Sequence, residues 1–168
     1  MTISMYQASV PVIQKSLTSL KGVLAKAAAH ADARKIEESV FLGSRLYPDM
    51  FPLSRQVQIA ADFGKGPIAR LAAVELPKYD DTETTFAELA ARVDKTLAFI
   101  GTFNPEQIDG QEDRDINLTI AGKPVTIKGQ PYLLHFALPN LYFHMSMAYA
   151  ILRHNGVEVG KRDFVGGV

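Results

Sequence analysis

Two pairs of polar side chains in this chain are spaced for chemistry. Gln58 and Asp62, and Asn140 and His144, are each four residues apart, so on a helix each pair shares one face. Both pairs interrupt otherwise apolar stretches. Arg55 lies one turn before Gln58, and a guanidinium there can anchor a carboxylate or phosphate. With Tyr47 these residues form the candidate ligand-binding set: Arg55, Gln58, Asp62, Asn140, His144 and Tyr47. The same side chains would line a small-molecule pocket between two helices. A second reading gives them no chemistry: buried polar groups find partners for packing reasons alone, and the chain is then a structural or interaction module.

Other chemistries find no support. His135 lies nine residues before His144 and His154 ten after it, so no His-x-x-x-His ligand row forms. His135 and His144 are expected to be buried or half-buried and hydrogen-bonded to neighbouring helices. There is no cysteine, which excludes disulfides, thiolate nucleophiles and thiolate zinc sites. No Gly-x-Ser-x-Gly elbow occurs, and Gly64-Lys65-Gly66 is too short for a phosphate loop and sits inside a helical pattern. Eighteen basic and eighteen acidic residues cancel, which leaves no electrostatic case for nucleic acid or an anionic membrane surface. Basic and aromatic residues do not interleave as in a single-strand binder. The first residues, MTISMYQASVPV, lack a charged segment followed by an apolar run, so a cytoplasmic protein is expected. At 168 residues, with 47% hydrophobic and 21% charged content, the chain reads as one globular domain over 1–168.

Four long helices must position the candidate side chains. The first is expected from residue 4 to about 30, because Tyr6, Val10, Ile13, Leu17, Leu20, Leu24 and Ala27 step by four and three. Ser4 or Thr2 would cap it, Pro11 would bend it, and His30 would mark its end. A connection over 32–52 holds room for a short helix within 36–46 and a turn bracketed by Pro48 and Pro52. The second long helix spans about Pro52 or Leu53 to Val74, with Leu53, Val57, Ala60, Ala61, Gly64, Ile68 and Leu71 inward and a bend at Gly64, Gly66 and Pro67. Thr85 and Glu88 have capping-box spacing and open the third, whose core face is Phe86, Leu89, Val93, Leu97 and Ile100. Its Arg92, Asp94 and Lys95 read as solvated charges. Ile116, Leu118 and Ile120, then Ala-Gly-Lys-Pro, then Val125 and Ile127 predict a hairpin. The fourth helix covers 131–154, with Pro139 bending it beside Asn140. Its His135, Asn140, His144 and Arg153 argue against a membrane span. The tail after Gly156 reads as extended, with Phe164 docking.

Three stretches go further: MYQASVPV at 5–12, RLYPDMFPLSRQVQIAADFGKGPIARL at 45–71 and HFALPNLYFHMSMAYAILRHNGVEVGKRDF at 135–164. Through them the chain resembles a family of uncharacterised bacterial and fungal proteins in the DinB/YfiT-like superfamily. That family has no established activity. The resemblance implies a mainly α fold, a DinB/YfiT-like four-helix bundle in up-down-down-up order, here with a small β-hairpin between the third and fourth helices. It also implies frequent homodimers and, in many superfamily members, a divalent metal ion held by three histidines; some members are thiol transferases or hydrolases. The superfamily's histidine pair on the last helix maps to Asn140 and His144, and its partner on the second helix falls near Gln58 or Asp62. Two of the three histidines are thus replaced. The mapping leaves His144, Asp62 and Asn140 as the metal set: carboxylate and carbonyl oxygens suit magnesium or manganese, and imidazole suits zinc or nickel. With a metal bound, His144 would be a ligand, Asp62 a second ligand or general base, and a bound water the nucleophile of a hydrolase or transferase. The expectation is a homodimer with a polar small-molecule pocket between the second and fourth helices, and a divalent ion as the one cofactor the set would take.

Overall fold

The computed structural model describes residues 3–167, so Thr2 lies outside the described residues. Helix α1 (Val10–Arg34) buries Val10, Ile13, Leu17, Leu20, Leu24 and Ala27, the stripe read from the sequence. Its start differs from the expectation. Residues 5–9 are turns in which Ser4 and Gln7 exchange side-chain to backbone hydrogen bonds, each 3.3 Å. Ser4 therefore closes a separate turn, and the helix opens after Ser9 with Pro11 in its first turn. There a proline loses no intrahelical bond, so Pro11 starts the helix and does not bend it. The helix runs past His30 and ends where Lys35 turns left-handed at φ 54°. His30 meets the ring of Phe41 edge-on, with centroids 5.8 Å apart.

After the short α2 (Glu38–Leu42) comes α3 (Leu53–Leu71), whose inward stripe is buried as expected. At Gly64 a Cβ would lie 2.7 Å from Leu17 Cδ1 and 3.0 Å from Thr96 Cγ2. The absence of a side chain there sets how closely α3 approaches α1 and α4 (Phe86–Ile100). The capping box of α4 is present: Glu88 N–H donates to Thr85 Oγ1 and Thr85 N–H donates to Glu88 Oε2, both at 3.1 Å. One side chain of α4 breaks the expectation, because Arg92 is buried and not solvated. A short helix not foreseen from the sequence, α5 (Pro105–Ile108), buries Ile108.

The hairpin pairs β1 (Asp115–Ile120) with β2 (Lys123–Lys128), Ile116 opposite Ile127 and Leu118 opposite Val125. Ala121 and Gly122 join them at φ 49° and 78°, the pair of positive values that a type I′ turn requires. A lone hairpin is marginal in water. This one is supported by Ile116, which is buried, and by Leu118 and Ile127, which pack on the helical core.

The last long helix is continuous but not uniform. It begins as α6 (Gly129–Pro131), widens into a π-helical turn (Tyr132–Ala137) and continues as α7 (Leu138–His154). Pro139 lies in the first turn of α7. Proline cannot donate to the carbonyl four residues back, and the wider turn ahead of it absorbs that mismatch. Asn140 Nδ2 donates to the Phe136 carbonyl at 2.7 Å beside the break. His135, expected inside, is exposed on the π turn. In the bundle α3 packs mainly on α7 and α4, and α1 mainly on α4. The tail is not extended throughout. It ends in α8 (Lys161–Val165), where Asp163 accepts from the Gly160 N–H at 2.8 Å and pairs with Lys26 at 2.6 Å, and Phe164 meets Tyr149 edge-on. Among the described residues no helix is long and apolar enough to cross a membrane.

The close approach at Gly64 makes a direct prediction. Gly64→Val forces α3 away from Leu17 and Thr96 and lowers stability by about 1–3 kcal/mol, as measured by urea denaturation.

Candidate functional site

A buried guanidinium gathers most of the polar residues of α3. The Arg92 side chain is 3% exposed, and burial alone would push it toward losing its charge. Glu83, Asp62 and Asp81 reverse that and raise its pKa, so it stays a cation. Arg92 Nη1 donates to Glu83 Oε1 at 2.9 Å and to the Asp80 carbonyl at 3.0 Å. Its Nη2 pairs with Asp81 Oδ1 at 2.9 Å and with Asp62 Oδ1 at 3.2 Å. The carboxylates are held in turn from α3. Arg55 pairs with Asp81, Gln58 Nε2 donates to Glu83 Oε2 at 2.9 Å, and Lys65 Nζ lies 2.8 Å from Asp62 Oδ1. The segment leading into α4 is thereby strapped across both helices. Tyr79 completes the strap: Lys65, Lys95 and Arg92 lie 4.7, 4.3 and 5.5 Å from its ring centroid.

His144 forms a second centre. Gln56 Nε2 donates to the Phe51 carbonyl at 3.2 Å, so its Oε1 is the atom facing His144 Nδ1 at 2.8 Å. An amide oxygen only accepts, so Nδ1 carries the proton and Nε2 keeps its lone pair. The ring stacks on Phe63 at 6.0 Å and meets Phe143 edge-on at 5.2 Å. Burial lowers the His144 pKa, and the nearby Arg55 charge lowers it further. The result is a neutral imidazole, oriented from one side and able to accept a proton or hydrogen bond on the other.

A cavity of about 300 Å³ opens beside these centres. Its walls come from α3 (Asp62, Phe63, Lys65, Arg70), from the π turn (Tyr132, Phe136), from β1 (Leu118, Thr119, Ile120) and from Leu76. Lys65 is almost fully buried and paired with Asp62, and Arg70 Nη1 lies 3.3 Å from the Tyr132 hydroxyl. Burial pushes the Tyr132 pKa up, with Arg70 opposing, so the phenol stays protonated.

A family model described as a domain of unknown function, DUF1993, matches residues 5–165. The chain belongs to this family. Two solved structures are similar to the chain. A DinB family member protein from Shewanella denitrificans is 40% identical, with a TM-score of 0.87 over 97% of this chain and 92% of that one. A DinB-like protein from Bacillus subtilis is 17% identical, with a TM-score of 0.59 over 88% and 91% of the two chains, and shows the shared fold. No functionally curated protein matches the chain.

This DUF1993 chain distributes the six candidate residues over four places. Arg55, Gln58 and Asp62 join the Arg92 network, and Asp62 also reaches the cavity wall. His144 lies behind Phe63, while the side-chain amide of Asn140 is engaged within its own helix. Tyr47 is 64% exposed in the loop before α3. The set His144, Asp62 and Asn140 does not fit a divalent ion. The same oxygen of Asp62 is held by Lys65 and Arg92, and a metal there would face two cations. Among the described residues no three His, Cys, Asp or Glu side chains converge where an ion could sit. Sequence reasoning missed Arg92, Lys65, Arg70 and Tyr132. A signal existed for Arg70, since Asp62, Gly66 and Arg70 fall on one i, i+4, i+8 row.

Two outcomes are expected. Arg92→Met leaves Asp62, Asp81 and Glu83 crowded without their cation and lowers stability by about 3 kcal/mol, the low end for a broken buried pair because Asp62 and Asp81 are 39% and 40% exposed. Denaturation of the variant beside the parent measures this. His144 binds its proton more weakly folded than unfolded, so the unfolded state takes up more protons once the pH falls below the ordinary histidine value of 6.5. Stability therefore declines on acidification below that value, and His144→Gln flattens the decline in a denaturation series from about pH 8 to about pH 5.

Proposed function

We propose that this chain is a small-molecule-binding protein of the DinB type, without a three-histidine metal site, its ligand held between α3 and the last long helix. The observation that carries this reading is the cavity of about 300 Å³ at that junction, with charged groups on one wall and aromatic rings on another. Ligand sites in helical bundles recur between helices, and they combine an apolar lining with a few polar groups that fix orientation. Asp62, from the candidate set, contributes to the wall, and His144 buttresses Phe63 from behind.

A second reading is favoured by the Arg92 network, in which Arg55, Gln58 and Asp62 satisfy one another. On that reading the chain is a structural or interaction module, and the cavity holds only water.

Thermal melting across a broad metabolite panel separates the two. A ligand that prefers the folded state raises the melting temperature in proportion to its occupancy. At least one compound is expected to raise it for the parent and not for Leu118→Trp, which fills the cavity from the β1 side. If no compound shifts the parent, the structural reading holds.

A further inference from the structure

The charges lining the cavity do not cancel, and the imbalance names a class of ligand. Asp62 and Lys65 neutralise each other at 2.8 Å, and Asp62 has Arg92 as a second partner. Arg70 has no carboxylate partner among the described residues; its one side-chain hydrogen bond there is to the Tyr132 hydroxyl at 3.3 Å. In that contact the guanidinium donates, so the phenol hydrogen is still available, and no acceptor takes it among the described residues. Tyr132 is 1% exposed, which makes an unsatisfied hydroxyl hydrogen there costly. Two donors, one of them charged, thus stand together on the cavity wall, and among the described residues no carboxylate receives them.

We propose that the cavity binds a small monocarboxylate with an apolar body, its carboxylate on the Arg70 guanidinium and the Tyr132 hydroxyl. The inference rests on the cavity being a ligand site. A guanidinium matches a carboxylate in geometry as well as charge. One uncompensated positive charge fits a monoanion better than a phosphate dianion, which would leave a negative charge in an apolar surround. Phe63, Phe136, Leu118, Ile120 and Leu76 would cover the rest of the ligand. A dry cavity of about 150 Å³ holds benzene, so this space takes an aryl or branched alkyl group. Gly66 belongs to the same design. A Cβ at that position would lie 2.6 Å from Arg70 Nη1, so the glycine leaves the gap in which the guanidinium rests.

The test is calorimetric titration of the parent, Arg70→Met and Gly66→Ala with 3-phenylpropionate, its neutral amide and inorganic phosphate. Gly66→Ala displaces the guanidinium while replacing a poor helix residue by a good one, so it keeps the test open if Arg70→Met fails to fold. The carboxylate is expected to bind the parent at least tenfold more tightly than the amide, and both variants are expected to lose that preference. Equal binding of carboxylate and amide would overturn the charge assignment while leaving the cavity a ligand site. Tighter binding of phosphate, lost in the same variants, would replace the carboxylate by a phosphate. If none of the three probes binds, the monocarboxylate proposal fails, and the metabolite panel separately decides whether the cavity binds anything.

Discussion

A guanidinium buried in a helical bundle has to be surrounded by acceptors, and that requirement organises one side of this molecule. Removing such an ion from water costs several kcal/mol. Arg92 offsets much of that cost through Asp62, Asp81, Glu83 and the Asp80 carbonyl, while its Nε finds no partner among the described residues. Three of those four acceptors come from the segment before α4, so that segment is drawn across the groove between α3 and α4. The acceptors then need cations and donors of their own, which Arg55, Gln58 and Lys65 supply from α3. The polar face of α3 is thereby committed largely to α4. The side turned toward the last helix is built differently: Phe63 lies against Phe136 and His144, and Arg70 reaches Tyr132.

What was legible in the sequence was local. The stripes of α1, α3 and α4 follow from a period that each segment carries within itself, and the same holds for the Thr85–Glu88 box and the alternation of the hairpin. The two prolines were harder, because the effect of a proline depends on where the first turn falls. Pro11 was expected inside a helix that in fact begins beside it, and Pro139 follows a turn of different pitch. Arg92 lies three residues after Leu89 and one before Val93, at the margin of the apolar stripe. Whether such a residue turns in or out depends on acceptors in a preceding loop that has no periodicity to read.

The candidate site divides along the same line. The four-residue spacing of Gln58 and Asp62 did place both on one face, joined to Arg55. The spacing of Asn140 and His144 was equally real, yet the two side chains have different employments. Asn140 Nδ2 donates to the Phe136 carbonyl one turn back on its own helix, and His144 reaches across to Gln56. Spacing reports which face a residue occupies on its own element. It does not report whether a side chain turns back onto its own backbone, as Asn140 does, or across to a neighbour, as His144 does.

The π turn has a consequence for phase. On a regular α-helix successive residues are rotated by ~100°, so Tyr132 and His144, twelve residues apart, would diverge by about 120°. Both nevertheless face α3, Tyr132 at Arg70 and His144 at Gln56 and Phe63. A single wide turn takes up roughly one residue without advancing the rotation, which brings the two to within about 20° of each other. The turn works as a dephasing spacer. It allows one helix to present two sequence registers to the same neighbour, the first ending at Phe136 on the cavity and the second carrying His144 behind it.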